Sequence, residues 1–262
     1  MTLSNYQEVQ YRVLNGVATI TLDRPDATNS LTRQMRNEIS ELISKSSMDD
    51  SVRIIVIEGS GRAFCAGQNL EEGAPPGEPT KTLLEEEYKP LIMAIDQCDK
   101  IVIASINGAC AGVGTALALA CDLVVMADDA YMYQAFIAIG LVPDGGACWQ
   151  LVQQLGYRKA LELAIEGDKI QATTCMKLGL ANRVVAKEEL QLETQNWAEK
   201  LAKQAPLAVT ATKKAMKNAQ GLNLADTIMM EAEVQGRMTE TNDAQEAVKA
   251  FLEKRTPVFE GR

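Results

Sequence analysis

Three short stretches carry residues whose types and spacing could do chemistry. In Gly140-Leu141-Val142-Pro143-Asp144-Gly145-Gly146, one carboxylate stands between apolar residues and a glycine pair. Ile137, Ile139, Leu141 and Val142 make its surroundings apolar. Desolvation lifts a carboxyl toward working pH, so Asp144 is a candidate general base. Gly112-Val113-Gly114 opens a helix of small residues, and Ala66-Gly67-Gln68 follows a buried strand. A helix start leaves N–H groups unpaired and carries partial positive charge. Two such N–H groups converging on one point would hold an oxyanion developing on a carbonyl. The expectation is that the Val113 N–H and the Asp144 carboxylate face one reacting carbon skeleton. Asp144 also reads as the N-cap of a helix entering at Cys148-Trp149, and each glycine stretch alone reads as a structural turn.

What is missing narrows the chemistry. The 262 residues include no histidine. That removes Ser-His-Asp and Cys-His devices and His-ligated metals. Proton transfer falls to Asp, Glu, Lys, Tyr or Cys. Six cysteines without CxxC spacing, in apolar or small-residue surroundings, read as reduced buried thiols, with no metal site. A net charge of −9 argues against nucleic acid or an anionic membrane as partner, but leaves room for a small anionic ligand beside a few placed cations. The start has neither a basic nor an apolar leader region. No run reaches membrane-spanning length, residues 101–120 coming nearest, so a cytoplasmic protein is expected.

Several elements must position these stretches. Residues 9–14 and 17–22 predict a hairpin around Asn15-Gly16. Ser30 is placed to cap a helix with Leu31, Met35, Ile39, Leu42 and Ile43 at helical spacing. Residues 53–58, 101–106 and 123–127 predict buried strands, and 113–120 a close-packed helix, giving βαβ-like units. Residues 131–136 predict a further short strand. Residues 71–80, rich in proline and glycine, predict a mobile loop, and 82–98 a helix that Pro90 bends or splits. Beyond Asp144 the pattern is helical: 146–155, 158–166, 173–178, 188–204, 206–220, 225–238 and 243–254. The composition shift near Arg183 divides an α/β core (1–183) from a helical, methionine-rich part (184–262), whose apolar faces suggest self-association.

Leu22-Asp23-Arg24-Pro25, Phe64-Cys65-Ala66-Gly67-Gln68-Asn69-Leu70, Asn107-Gly108 with Gly112-Val113-Gly114 and Cys121-Asp122, and Phe251-Leu252-Glu253-Lys254-Arg255 occur in order along nearly the whole chain. In this the sequence resembles the enoyl-CoA hydratase/isomerase (crotonase) superfamily. The resemblance implies an α/β spiral of ββα units forming two near-perpendicular sheets. It also implies a C-terminal helical trimerisation region, and a homotrimer or hexamer. It implies acyl-CoA thioester substrates, CoA being part of the substrate with no separate cofactor, and an enolate held at the thioester carbonyl. Carried over residue by residue, it assigns the oxyanion donors to the N–H groups of Gln68 and Val113. It places the Ala66 carbonyl against adenine and Arg24 near the CoA phosphates. Lys254 would reach CoA from the same or a neighbouring chain.

The departures from that pattern bear on the reaction. Where typical hydratases carry two water-activating glutamates, this chain has Ala116 and Phe136. Asp144 matches the single catalytic carboxylate of enoyl-CoA isomerases. Phe64–Gln68 and Leu141–Asp144 look most like the isomerases acting on 1,2-epoxyphenylacetyl-CoA. Dehalogenases that use this aspartate also need a histidine and a tryptophan in the site; this chain has no histidine, and Phe136 stands where the tryptophan would fall. The implied activity is double-bond isomerisation of a 3-enoyl-CoA. A hydratase with an unrecognised base and a non-catalytic binding protein are the other readings. Residues 71–81, Tyr133, Phe136 and Trp149 are expected to shape the acyl pocket.

Overall fold

The computed structural model describes residues 6–72 and 79–262. Strands β1 (Val9–Leu14) and β2 (Val17–Leu22) form the expected hairpin, Leu14 pairing with Val17 across Asn15-Gly16. Helix α1 (Arg33–Met48) starts later than expected. Its cap is Thr32, whose hydroxyl accepts the Met35 N–H at 3.0 Å. Ser30 cannot cap because Leu31 is drawn into an extended parallel bridge with Gln68.

From β3 (Ile54–Gly59) onward the chain alternates between two sheets. It passes to β4 (Ala63–Cys65), then through α2 (Thr80–Leu83), a π-helical turn (Leu84–Tyr88) and α3 (Lys89–Asp96). It repeats the move with β5 (Ile101–Ile106), β6 (Ala109–Ala111) and α4 (Val113–Ala120), and again with β7 (Leu123–Ala127) and β8 (Tyr131–Tyr133). Next come α5 (Ala147–Leu155), α6 (Tyr157–Glu166), β9 (Lys169–Gln171), α7 (Ala172–Leu178) and β10 (Arg183–Val185). The larger sheet has the order β1-β2-β3-β5-β7-β10, parallel apart from the β1–β2 pair. The smaller has the order β4-β6-β8-β9, with β9 antiparallel. Ile54–Ile57 and Val102–Ile106 are buried throughout, as expected of central parallel strands covered on both faces.

The predicted 82–98 helix is split. Pro90 sits in the first turn of α3, where its missing N–H leaves no helical bond broken, and the π-helical turn absorbs the offset. The 131–136 strand stops at Tyr133, since Phe136 leads into a 3-10 turn (Ile137–Ile139). Most of the loop expected at 71–80 lies outside the described residues.

Helix α8 (Leu190–Ala202) packs across β2, β3, β5 and β7, with Ser105 and Thr194 hydroxyls 3.1 Å apart in the interior. The boundary expected after 183 therefore falls inside β10, and the sheet's covering layer runs on to Ala202. Helices α9 (Pro206–Ala219), α10 (Leu224–Thr239) and α11 (Asn242–Glu253) follow. Helix α9 is tied to the core by Lys213, which donates to Asp122 at 2.7 Å and to the Lys100 carbonyl at 3.0 Å. Helices α10 and α11 expose Leu224, Ile228, Met229, Phe251 and Leu252. No helix among the described residues is long and apolar enough to cross a membrane.

Candidate active site

Asp144 lies between the 3-10 turn and α5. Helix α5 takes Gly146 as its N-cap and has no side-chain cap. Asp144 contributes only its backbone carbonyl, which accepts the Ala147 N–H at 3.0 Å. The capping alternative for its carboxylate is thereby excluded. Instead Oδ1 is buried with no hydrogen-bond partner among the described residues. Burial pushes the carboxyl up to about 6. Gly145, at φ 59°, presses against the first turn of α4: a Cβ added there would stand 2.8 Å from Val113 Cγ2 and 3.2 Å from Ala116 Cβ.

The two glycine stretches meet at the same place. Gly67 adopts φ 101°, and an added Cβ would lie 3.0 Å from the Ala111 carbonyl oxygen and 3.7 Å from Gly112 Cα. Only glycine permits this approach. The Leu31 N–H donates to the Gly67 carbonyl (2.7 Å) and the Asn69 N–H to the Leu31 carbonyl (3.0 Å). That parallel bridge uses the groups flanking Gln68 and turns the Gln68 N–H to the other side. Val113 is the first residue of α4, so its N–H has no helical acceptor. Neither N–H has a protein acceptor among the described residues. The segments that carry Gln68 and Asp144 thus both press against the segment that carries Val113.

Ala116 and Phe136 are buried apolar residues, so no carboxylate stands at either position. Phe136 accepts the Leu141 N–H at 2.9 Å and so anchors the turn that delivers Asp144. Arg24 and Ala66 share one rim. Fully buried Asn29 accepts the Arg24 N–H (2.8 Å) and donates to the Ser60 (2.9 Å) and Ala63 (2.8 Å) carbonyls, while the Ala66 N–H donates to Thr28 (3.0 Å). The Arg24 guanidinium is engaged with Glu8 (3.2 Å) and the Ser30 carbonyl (2.7 Å). Lys254 ends α11 in a left-handed conformation, exposed, and none of the hydrogen bonds or ion pairs among the described residues joins it to the other site residues. Trp149 is 59% exposed and lines a separate groove with Lys213, away from Asp144.

Sequence reasoning missed Arg36 and Tyr88. A cavity of about 190 Å³ next to the Asp144 turn is lined by Leu84, Tyr88, Lys89, Ile92, Met93, Gly145 and Gly146. Tyr88, at the end of the π-helical turn, is 1% exposed. Its hydroxyl accepts from Arg36 Nη1 at 3.1 Å, and the same nitrogen donates to the Leu31 carbonyl at 3.0 Å. Arg36 is itself fully buried and paired with Glu87. The available signal was a cation at helical spacing with Ile39 and Ile43 on a core-facing stripe, which a buried partner must compensate. Of the cysteines, Cys148 is exposed rather than buried, and burial pushes the Cys65 thiol up to about 12.

Comparison with known proteins places the whole chain in one family. Residues 12–262 match the family model described as enoyl-CoA hydratase/isomerase. The chain is 40% identical to the "Probable enoyl-CoA hydratase" of Rhodobacter capsulatus, covering 98% of this chain and 100% of that protein. It is 35% identical to the 1,2-epoxyphenylacetyl-CoA isomerase of Escherichia coli, covering 95% and 97%. The crystal structure of an enoyl-CoA hydratase from Bacillus anthracis superposes with a TM-score of 0.92 at 29% identity, covering 98% of this chain and 100% of that one. With its two sheets built by repeated strand–strand–helix units and its helical C-terminus, the chain belongs to the enoyl-CoA hydratase/isomerase family and has the crotonase fold.

Proposed function

We propose that this protein is an acyl-CoA double-bond isomerase. The observation that carries the reading is the half-buried Asp144 carboxylate, its Oδ1 buried without a partner, on the turn that presses against the start of α4, with Ala116 and Phe136 where a second carboxylate would be needed to activate water. Asp144 removes a proton from C2 of a 3-enoyl-CoA. The negative charge moves to the thioester oxygen, where the N–H groups of Gln68 and Val113 receive it. Asp144 then returns the proton at C4, giving the 2-enoyl-CoA. One base suffices because the proton leaves and re-enters on one face. Each donor of such a hole is worth about 2.7–4 kcal/mol of barrier. Ala116 and Phe136 keep the site dry, so water does not trap the product. Ala66 through its carbonyl, with Arg24 and Lys254 through their charge, would hold the nucleotide end of CoA.

The E. coli relative's name favours a variant in which the acyl group is an aromatic epoxide and proton movement accompanies ring opening. The Rhodobacter relative's name favours hydration. One experiment separates these readings: incubate pure protein with a 3-enoyl-CoA, a 2-enoyl-CoA and 1,2-epoxyphenylacetyl-CoA, and repeat with Asp144→Asn. Isomerisation abolished by Asp144→Asn supports the proposal. Robust hydration of the 2-enoyl-CoA that survives Asp144→Asn refutes it.

A further inference from the structure

The cavity lined by Tyr88, Lys89 and the Gly145-Gly146 pair adjoins Asp144 in the chain, and two buried polar groups of opposite sense, one on Tyr88 and one on Asp144, have unused bonding capacity. Asp144 Oδ1 is an acceptor without a donor. The Tyr88 hydroxyl already accepts from Arg36, so its oxygen is engaged while its hydrogen has no acceptor among the described residues. Buried polar groups are nearly always satisfied, and where the protein does not do so a ligand or water must. Their surroundings indicate that the Tyr88 placement is built. A π-helical turn, a feature common at functional sites, delivers Tyr88 inward. A fully buried guanidinium, itself costly, holds the phenol oxygen and the Leu31 carbonyl with one nitrogen. Leu31 is the strand partner of Gln68, so Arg36 ties Tyr88 to the segment that carries a proposed oxyanion donor.

We propose that Tyr88, fixed by Arg36, is a substrate-binding residue that donates its hydroxyl hydrogen to an oxygen on the acyl chain, so that the site prefers acyl-CoA thioesters oxygenated near C4 over purely hydrocarbon ones. This rests on the reading of the site as one for acyl-CoA thioesters, with C4 within reach of Asp144. A hydroxyl at C4 can accept from Tyr88 and keeps a hydrogen of its own to donate. Burial pushes the phenol above its ordinary range and the nearby Asp144 charge adds to this, outweighing the opposing effect of Arg36. Tyr88 therefore stays protonated and remains a donor at every working pH.

The test is equilibrium binding by calorimetry of 4-hydroxybutanoyl-CoA against pentanoyl-CoA, which differ by a hydroxyl in place of a methyl and lack the double bond that isomerisation needs. Wild-type protein should bind the hydroxy compound about 3- to 10-fold tighter, the worth of one net hydrogen bond. Tyr88→Phe should erase or reverse that preference. Equal or tighter binding of pentanoyl-CoA by wild type means that water alone serves the two groups and overturns the proposal, as does a preference that survives Tyr88→Phe. If Tyr88→Phe fails to fold, 3-fluorotyrosine at position 88, a stronger donor of the same shape, must widen the preference. An unchanged preference then overturns the proposal. No turnover is measured, so failure of the isomerase reading and failure of this one are distinguishable. If neither thioester binds, both fall.

Discussion

Asp144→Asn should stabilise the protein while abolishing its activity, and the stabilisation should depend on pH in a defined way. The folded protein holds the Asp144 carboxyl at about 6, against 3.8 for a free side chain, because burial disfavours its charge. A raised carboxyl opposes folding when ionised. The penalty is complete above the folded value, shrinks as pH falls from about 6 toward 3.8, and is gone below that. The shift corresponds to about 3 kcal/mol at 1.36 kcal/mol per unit. Partial exposure of the side chain reduces this to roughly 1–3 kcal/mol. Asparagine mimics the protonated form, so the variant should gain that amount at pH 8 and almost nothing at pH 3.8. The measurement is paired urea unfolding of wild type and variant at pH 4, 5, 6 and 8. Taking the difference cancels the titration of the other carboxylates. Loss of kcat in the same preparation would tie the stability gain to the base. A variant no more stable than wild type at pH 8, or a difference that does not decline toward acid pH, would refute the reasoning.

Other perturbations follow from the same geometry. The kcat/KM for a 3-enoyl-CoA should fall tenfold per pH unit below about 6 and be flat above it, because only ionised Asp144 takes a proton. A plateau extending to pH 4.5 would remove Asp144 from the role. Gly67→Ala forces a side chain to within 3.0 Å of the Ala111 carbonyl at φ 101°. It should cost roughly 1–2 kcal/mol of stability and lower kcat about 10²- to 10³-fold by misaligning the Gln68 N–H. Unaltered kcat in a folded Gly67→Ala protein would count against the oxyanion assignment. Arg36→Met removes the buried one of the two cations paired with Glu87, Arg33 remaining, and leaves the Leu31 carbonyl without its guanidinium donor. It should lower unfolding free energy by about 1–3 kcal/mol; denaturant melts check this. The exposed apolar residues of α10 and α11 lead us to expect three or six times the chain mass in analytical ultracentrifugation, and a monomer at micromolar concentration would exclude this.

Much of the larger sheet was legible because its strands are long and β-branched. Ile54–Ile57 and Ile101–Ile106 have only one plausible fate, and Asn15-Gly16 names its own turn. The smaller sheet was almost invisible. Its strands are three residues long, and Ala63-Phe64-Cys65 and Ala109-Cys110-Ala111 show neither alternation nor strong β-propensity. They become strands because each continues from the larger sheet and finds a neighbour already in place. Tertiary pairing likewise moved the α1 cap, since a bridge to Gln68, 37 positions on, outweighs Ser30's local preference. The three stretches of the site could be named from residue type. That Gly67 touches Ala111 and Gly145 touches Val113 could not, since backbone contact across 44 and 32 positions leaves no local trace. Arg36 could not be assigned a role from its own stretch, since Glu87 and Tyr88, which hold it, lie 51 and 52 positions on.

The contact between Gly67 and Ala111 also determines what genetic dissection of this protein would find. Neither peptide N–H beside it depends on the side chain its residue carries. Replacing Gln68 or Val113 by alanine leaves both N–H groups in place. A systematic alanine scan would therefore be quieter at these two positions than at Gly67, where a side chain would crowd the Ala111 carbonyl, and at Gly112, whose φ of 53° disfavours any side chain. Sequence drift at 68 is correspondingly cheap, while at 113 it is limited by burial against Gly145. Positions 116, 136 and 144, which border the same backbone frame, are where a change of side chain can change the reaction while the fold stands.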